Sequence, residues 1–169
     1  MTGVSADRAV QGLEAAGVDT QRVPFEEFRE TISELIDGPA VGIELQDLPV
    51  SLAETPVTVD PTPAEVRGAT VGITPAALCI EDYGSLVLPA TADGAELVSL
   101  FVEHHVAVLP ETATVGTMES AFEGFDATTE RARASRILAT GPSATADMGA
   151  LVEGAHGPKR VTAVVLTEG

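Results

Sequence analysis

Two short segments near the end of the chain concentrate the groups able to do chemistry: Gly141-Pro-Ser-Ala-Thr-Ala-Asp147 and Gly154-Ala-His-Gly-Pro-Lys159. A glycine after a strand lets the backbone turn with positive φ, and Pro142 fixes the next dihedral. The amides that follow can then face an anion, helped by the Ser143 and Thr145 hydroxyls, as in a phosphate or carboxylate cradle. The same residues also read as a helix start, with Ser143 or Thr145 capping a helix through Met148 to Val152 and Asp147 in its first turn. In the second segment His156 is a group that can hold or shuttle a proton near neutral pH. Lys159, the only lysine of the chain, can pair with a carboxylate or phosphate. The plainer alternative is a turn in which Lys159 meets a surface acid.

Other reactive residues are scattered more thinly. Glu81 and Asp82 precede Gly84-Ser85, and neighbours on a strand point to opposite faces, which argues against a carboxylate dyad. His104 and His105 stand at the entry to an apolar strand, where a satisfied structural imidazole is the expected role. No pair of histidines has the spacing of a known metal motif, so no metal is assigned. Cys79 lies between Leu78 and Ile80 and reads as a small buried apolar residue. A single cysteine excludes an internal disulfide, and equally a cysteine-ligated iron–sulfur cluster or zinc ribbon within the chain. Arg131, Arg133 and Arg136 form the one basic cluster, expected on a solvated helix face.

The charge balance constrains partners. With 26 acidic residues against 9 basic ones the chain carries −17, a field that repels nucleic acid and anionic membranes. Acidity spread along the chain, a single lysine and 4% aromatic residues suggest a cytoplasm rich in salt, where screening contracts the Debye length to about 3 Å at 1 M. The first residues do not read as a signal peptide, and no apolar run approaches the roughly 20 residues of a membrane helix, so a soluble cytoplasmic protein is expected.

The elements that must position these groups follow from pattern. At 169 residues and 44% hydrophobic content the chain fits one domain. Helices are predicted at Ala6 to Ala16 and Pro24 to Ile36, the second carrying Phe25, Phe28, Ile32, Leu35 and Ile36 at helical spacing, with one or two further turns at Pro61 to Arg67. Short strands are predicted at Ala40 to Leu45 and Val57 to Asp60. From Ala69 onward, strands at Thr70–Ile73, Ser85–Pro89, Val106–Leu109, Arg136–Ala139 and Arg160–Thr167 alternate with helices at Ala95–Val102 and Thr117–Phe122. Strands that are nearly all apolar indicate a sheet covered on both faces, hence α/β layering with a mostly parallel sheet and its site at the strand ends.

Five segments taken in order carry a family resemblance: Gly72-Ile-Thr74, Cys79 to Leu88, Leu97 to Val108, Gly141 to Asp147 and His156 to Lys159. They resemble the LUD family, lactate-utilization proteins of the LutC type, over residues 69 to 166. One LUD-type domain over 1–169 is expected, with a shortened N-terminal part (1–68) and a motif-bearing core (69–169). The resemblance implies a three-layer α/β/α fold of the NagB/RpiA/CoA-transferase type. It also implies a role in oxidising L-lactate beside iron–sulfur partner subunits, any iron–sulfur or flavin centre lying on those partners, and no cofactor on this chain. Thr74, Gly84, Ser85, Gly141, Ser143, Thr145, Asp147, Gly157 and Lys159 are then the expected contacts to a small anionic metabolite. Asp82, His105 and His156 are the catalytic candidates, Asp82 by analogy with the carboxylate nucleophile of the wider superfamily. A homodimer is compatible with this reading. Three positions depart from the family pattern: Ala144 where a basic residue is common, Tyr83 where Thr is usual, and Asp82 where Glu is frequent. A stand-alone enzyme acting on a CoA thioester or sugar phosphate, and a ligand-binding regulatory module, are the alternatives.

Overall fold

Residues 104–110 and 160–167 are mostly apolar, and in the computed structural model they lie side by side inside a six-stranded sheet. The structure describes residues 6–126, 135–147, 150–154 and 156–168. The central strands, in chain order, are β1 (Asp19–Pro24), β2 (Ala40–Gly42), β3 (Val57–Val59), β4 (Val71–Pro75), β7 (His104–Pro110) and β12 (Arg160–Thr167). They run in the spatial order β1-β12-β7-β4-β2-β3, every pair parallel. A parallel sheet needs both faces covered, and alternation along β12 shows how this is met. Val161, Ala163 and Val165 pack with Leu13, Leu86 and Leu88 on one side, while Val164 and Leu166 pack with Phe28 and Ile32 on the other.

The helices are α1 (Ala6–Ala15), α2 (Phe28–Leu35), α3 (Pro63–Gly68), α4 (Ala95–Phe101) and α5 (Met118–Asp126). Phe28 and Ile32 make the buried stripe of α2, as their spacing predicts. Burying side chains of this size stabilises by about 1.5–3 kcal/mol each. Thr62 and Glu65 close a capping box at the start of α3, with Pro63 in the first turn. Val66 of α3 joins Val98 and Val102 against Val41 and Ile43 at the far end of the sheet. Among the described residues no helix is long and apolar enough to cross a membrane.

A second sheet lies over the α1 side. Its strands β5 (Leu78–Ile80), β6 (Ser85–Pro89), β8 (Thr114–Val115) and β9 (Arg136–Thr140) run in the order β8-β5-β6-β9. Ser85–Pro89 and Arg136–Ala139 thus form strands as predicted, but in this smaller sheet rather than the central one. Three further differences stand out. Polar Asp19–Pro24 is the edge strand β1, paired only with β12, and the helix begins after a single 3-10 turn at Phe25–Glu27. Glu81–Tyr83 is a 3-10 turn rather than the start of a strand, and it packs against α1 so closely that a Cβ on Gly12 or Gly84 would strike the facing backbone. A helix is expected through Met148 to Val152; Met148 and Gly149 lie outside the described residues, and Ala150–Glu153 is instead strand β11, antiparallel to β10 (Ala144–Asp147). Its β-branched and small residues fit a ladder as readily as a helix.

Candidate functional site

The Gly141 and His156 segments meet at the edge where the parallel strands of the central sheet begin. In open α/β sheets the ligand edge is usually the opposite one, beyond the carboxyl ends. Gly141 turns the chain out of β9 with φ +72, and any Cβ there would collide with the carbonyl oxygen of Ala16. Two residues on, Ser143 binds the second segment three times. Its N–H donates to the Pro158 carbonyl at 2.8 Å, its own carbonyl accepts from Gly154 N–H at 2.8 Å, and its hydroxyl accepts from His156 N–H at 3.2 Å. The Ser143 amide is therefore spent within the protein and does not face an anion.

A cavity of about 160 Å³ opens beside this junction, lined by Ser143, His156 and Gly157 on one side and by Leu88, Leu100 and Val161 among its apolar walls. His105 supplies a buried imidazole to it, with Nε2 2.9 Å from Thr74 Oγ1. Burial, and then the neighbouring His104, push the His105 pKa down to about 4, so the ring is neutral at pH 7. It offers one hydrogen-bonding nitrogen but no charge. The exposed His156 lies at the rim. The space suits a ligand of a few heavy atoms, since one water occupies about 30 Å³ in the liquid.

The remaining candidates fall around this centre rather than in it. Thr74 holds His105, and Ser85 Oγ lies 2.6 Å from Thr140 Oγ1, next to Gly141. Gly84 serves the contact with Gly12. Thr145 and Asp147 are placed by their backbone on β10. Asp82 is exposed on the 3-10 turn, its amide bonded to the Gly116 carbonyl at 3.1 Å, and it does not line this cavity. Lys159 Nζ pairs with Glu103 Oε1 at 2.9 Å and lines a neighbouring cavity of about 220 Å³. Arg136 lies over the Phe125 ring at 4.2 Å, while Arg131 and Arg133 lie outside the described residues. Among the described residues no three His, Cys, Asp or Glu side chains are grouped to hold a metal ion. Cys79 is buried, and desolvation followed by the nearby Glu81 raises its thiol pKa to about 12, which leaves no thiolate for chemistry.

One polar group was not anticipated from the sequence. His104 points to the opposite face from His105, where its Nδ1 lies 2.9 Å from Arg160 Nη2 and its Nε2 2.8 Å from Thr162 Oγ1. Arg160 also holds Asp37 at 2.9 Å. An arginine only donates, so Nδ1 must be the acceptor, Nε2 carries the proton, and Thr162 accepts it. Burial, then Arg160, lower the His104 pKa to about 4, consistent with this neutral tautomer. The signal was in the sequence: two adjacent histidines entering a strand must serve two faces.

A six-stranded parallel sheet layered between helices and a smaller sheet, with a polar junction at one edge, defines an α/β domain of three-layer type. The chain belongs to the LUD domain family, whose model matches residues 62–166. It is similar to lactate utilization protein C of Deinococcus radiodurans, with 35% identity over 107 residues, or 61% of this chain and 49% of the relative. The chain thus spans about half the length of that curated relative. Its fold is similar to the crystal structure of a duf162 family protein from Deinococcus radiodurans, with a TM-score of 0.69 at 21% identity, covering 98% of this chain and all of the other.

Proposed function

We propose that this chain serves lactate utilization as a LUD-domain accessory protein, binding a small organic acid at the junction of the Gly141 and His156 loops and working beside iron–sulfur or flavin subunits in the cytoplasm. The observation that carries the reading is the cavity of about 160 Å³ that gathers His105, Ser143, His156 and Gly157 from segments far apart in sequence. Its size favours a three-carbon acid over a CoA thioester or sugar phosphate. Its chemistry favours recognition by hydrogen bonds: a neutral imidazole inside, apolar walls, and the His156 side chain where a carboxylate would meet solvent. Family membership and the name of the curated relative support the lactate context.

Thermal shift in molar potassium chloride with lactate, pyruvate, CoA and a sugar phosphate tests the ligand. Stabilisation by the three-carbon acids, abolished by His156→Ala and weakened by Ser143→Ala, is expected, while stabilisation by CoA alone would favour an enzyme of thioester chemistry. Co-purification from the native host tests the partners. Absence of iron–sulfur or flavin subunits, together with unchanged growth on lactate after deletion, would refute the accessory role.

A further inference from the structure

We infer that a second cleft, on the other face of the sheet from the His105 cavity, binds a free α-amino acid through both of its charges. The cleft holds about 600 Å³ and lies between the starts of β1, β7 and β12 and the ends of α1 and α2. That volume falls in the range of small-molecule sites. Its floor comes from strand register. Asp19 is opposite Thr162 and Arg160 is opposite His104, so strand alternation turns Asp19, Thr162, His104 and Arg160 toward the α2 side.

The floor is a chain of donors. Arg160 donates into His104 Nδ1, and His104 Nε2–H donates to Thr162 Oγ1. Thr162 Oγ1 is thereby satisfied as an acceptor and still carries its own hydroxyl proton. Thr162 is 2% exposed and lines the cleft. Its oxygen already has a partner in His104, and the hydroxyl keeps one further donor that can face a ligand in the cleft. Arg160, half exposed, bonds Asp37 and His104 through Nη2, which leaves its other guanidinium donors for the same ligand. Thr162 and Arg160 together thus present a carboxylate-binding pair.

The walls have the opposite character. Glu14 and Glu34 stand in the last turns of α1 and α2, where the helix dipoles add negative potential, and Asp19 of the floor and Asp37, the ion-pair partner of Arg160, add two more carboxylates. A purely anionic ligand meets these carboxylates. A purely cationic one meets Arg160 and makes no use of the Thr162 hydroxyl donor. A carboxylate and an ammonium on one small molecule satisfy both sets, and the apolar edge of Leu35 accommodates a side chain. The site is separate from the one assigned above, because His104 and His105 face opposite sides of the sheet.

The test uses the intact chain in molar potassium chloride, titrated calorimetrically with glycine, alanine and leucine, and with propionate and ethylamine as probes that each lack one charge. Binding of an amino acid with at least about ten-fold preference over both single-charge probes is expected, since a site built for two polar groups rejects an analogue lacking one. Thr162→Val and Arg160→Gln should each weaken binding about ten-fold or more, whereas His156→Ala should leave it unchanged. Arg160, being half exposed, remains a usable variant if Thr162→Val does not fold. Equal binding of ethylamine alone, of propionate alone, or no heat with any amino acid would each overturn the assignment.

Discussion

Ser143 accepts the backbone N–H of His156 at 3.2 Å, and this one hydroxyl joins two loops separated by the β10–β11 pair. Its amide and carbonyl bond the same segment, so Ser143 sets the position of the His156 imidazole without touching it. Ser143→Ala removes only the hydroxyl contact. Loss of one such bond should lower stability by about 0.5–1.5 kcal/mol, read from chemical denaturation in molar salt. Small-acid affinity should fall by more than this stability loss suggests, because the imidazole is no longer held at the rim. Equal acid binding by wild type and variant would contradict that placement.

Acid should destabilise the fold through its two buried histidines. His104 and His105 titrate near 4 when folded, against about 6.5 in an unfolded chain. Between those values the unfolded state binds more protons, so stability rises with pH. The contribution is complete above about 6.5 and is lost as pH falls toward 4, at up to about 1.4 kcal/mol per pH unit for each group. His105→Gln keeps a partner for Thr74 but removes one titration. Its stability curve should be flatter than wild type by one proton across this window, and parallel curves would refute the assignment.

Lys159→Ala separates two expectations for the lone lysine. Its ammonium pairs with Glu103, with side chains 53% and 62% exposed, and lines a different cavity from His105 and His156. Exposed pairs contribute at most about 1 kcal/mol. The substitution should therefore change stability little and leave small-acid binding intact. A loss of binding would mean that the lysine leaves Glu103 to reach the ligand.

What could be read from the sequence follows how much of each element's identity is local. Ser85–Pro89 and Arg160–Thr167 form strands within the predicted limits because the interior of each is dominated by buried apolar residues. Gly141 turns with positive φ as its place after a strand implies. Asp19–Pro24 gave no such signal: its burial comes mostly from Val23, and its strand character comes from pairing with β12, a contact made across the whole chain. That the Gly141 and His156 segments share one site is implied by the family resemblance rather than by their spacing. That Ser143 spends its amide on Pro158, and that Lys159 turns to Glu103, depends on packing that no residue pattern encodes. For the His104, Arg160 and Thr162 group, adjacent histidines imply only that two faces are served, and the partners of His104 are set by the register of two strands.

Net charge sets how this fold responds to salt. At −17, repulsion among exposed carboxylates acts over a Debye length of about 10 Å at 0.1 M salt but only about 3 Å at 1 M. The melting temperature should climb steeply over that interval and then flatten, whereas a steady rise through several molar would indicate ion exclusion from the surface instead. Helix α5 allows a local check, because Glu119 and Glu123 are exposed and four residues apart, a like-charge pair on one helix face. Glu123→Lys turns the repulsion into an attractive pair in the favourable orientation, with glutamate on the N-terminal side. The gain should be a few tenths of a kcal/mol or more at 0.1 M and should shrink toward zero at 1 M as both contributions are screened. If the variant keeps its full advantage in molar salt, screening of repulsion is not what salt does for this fold.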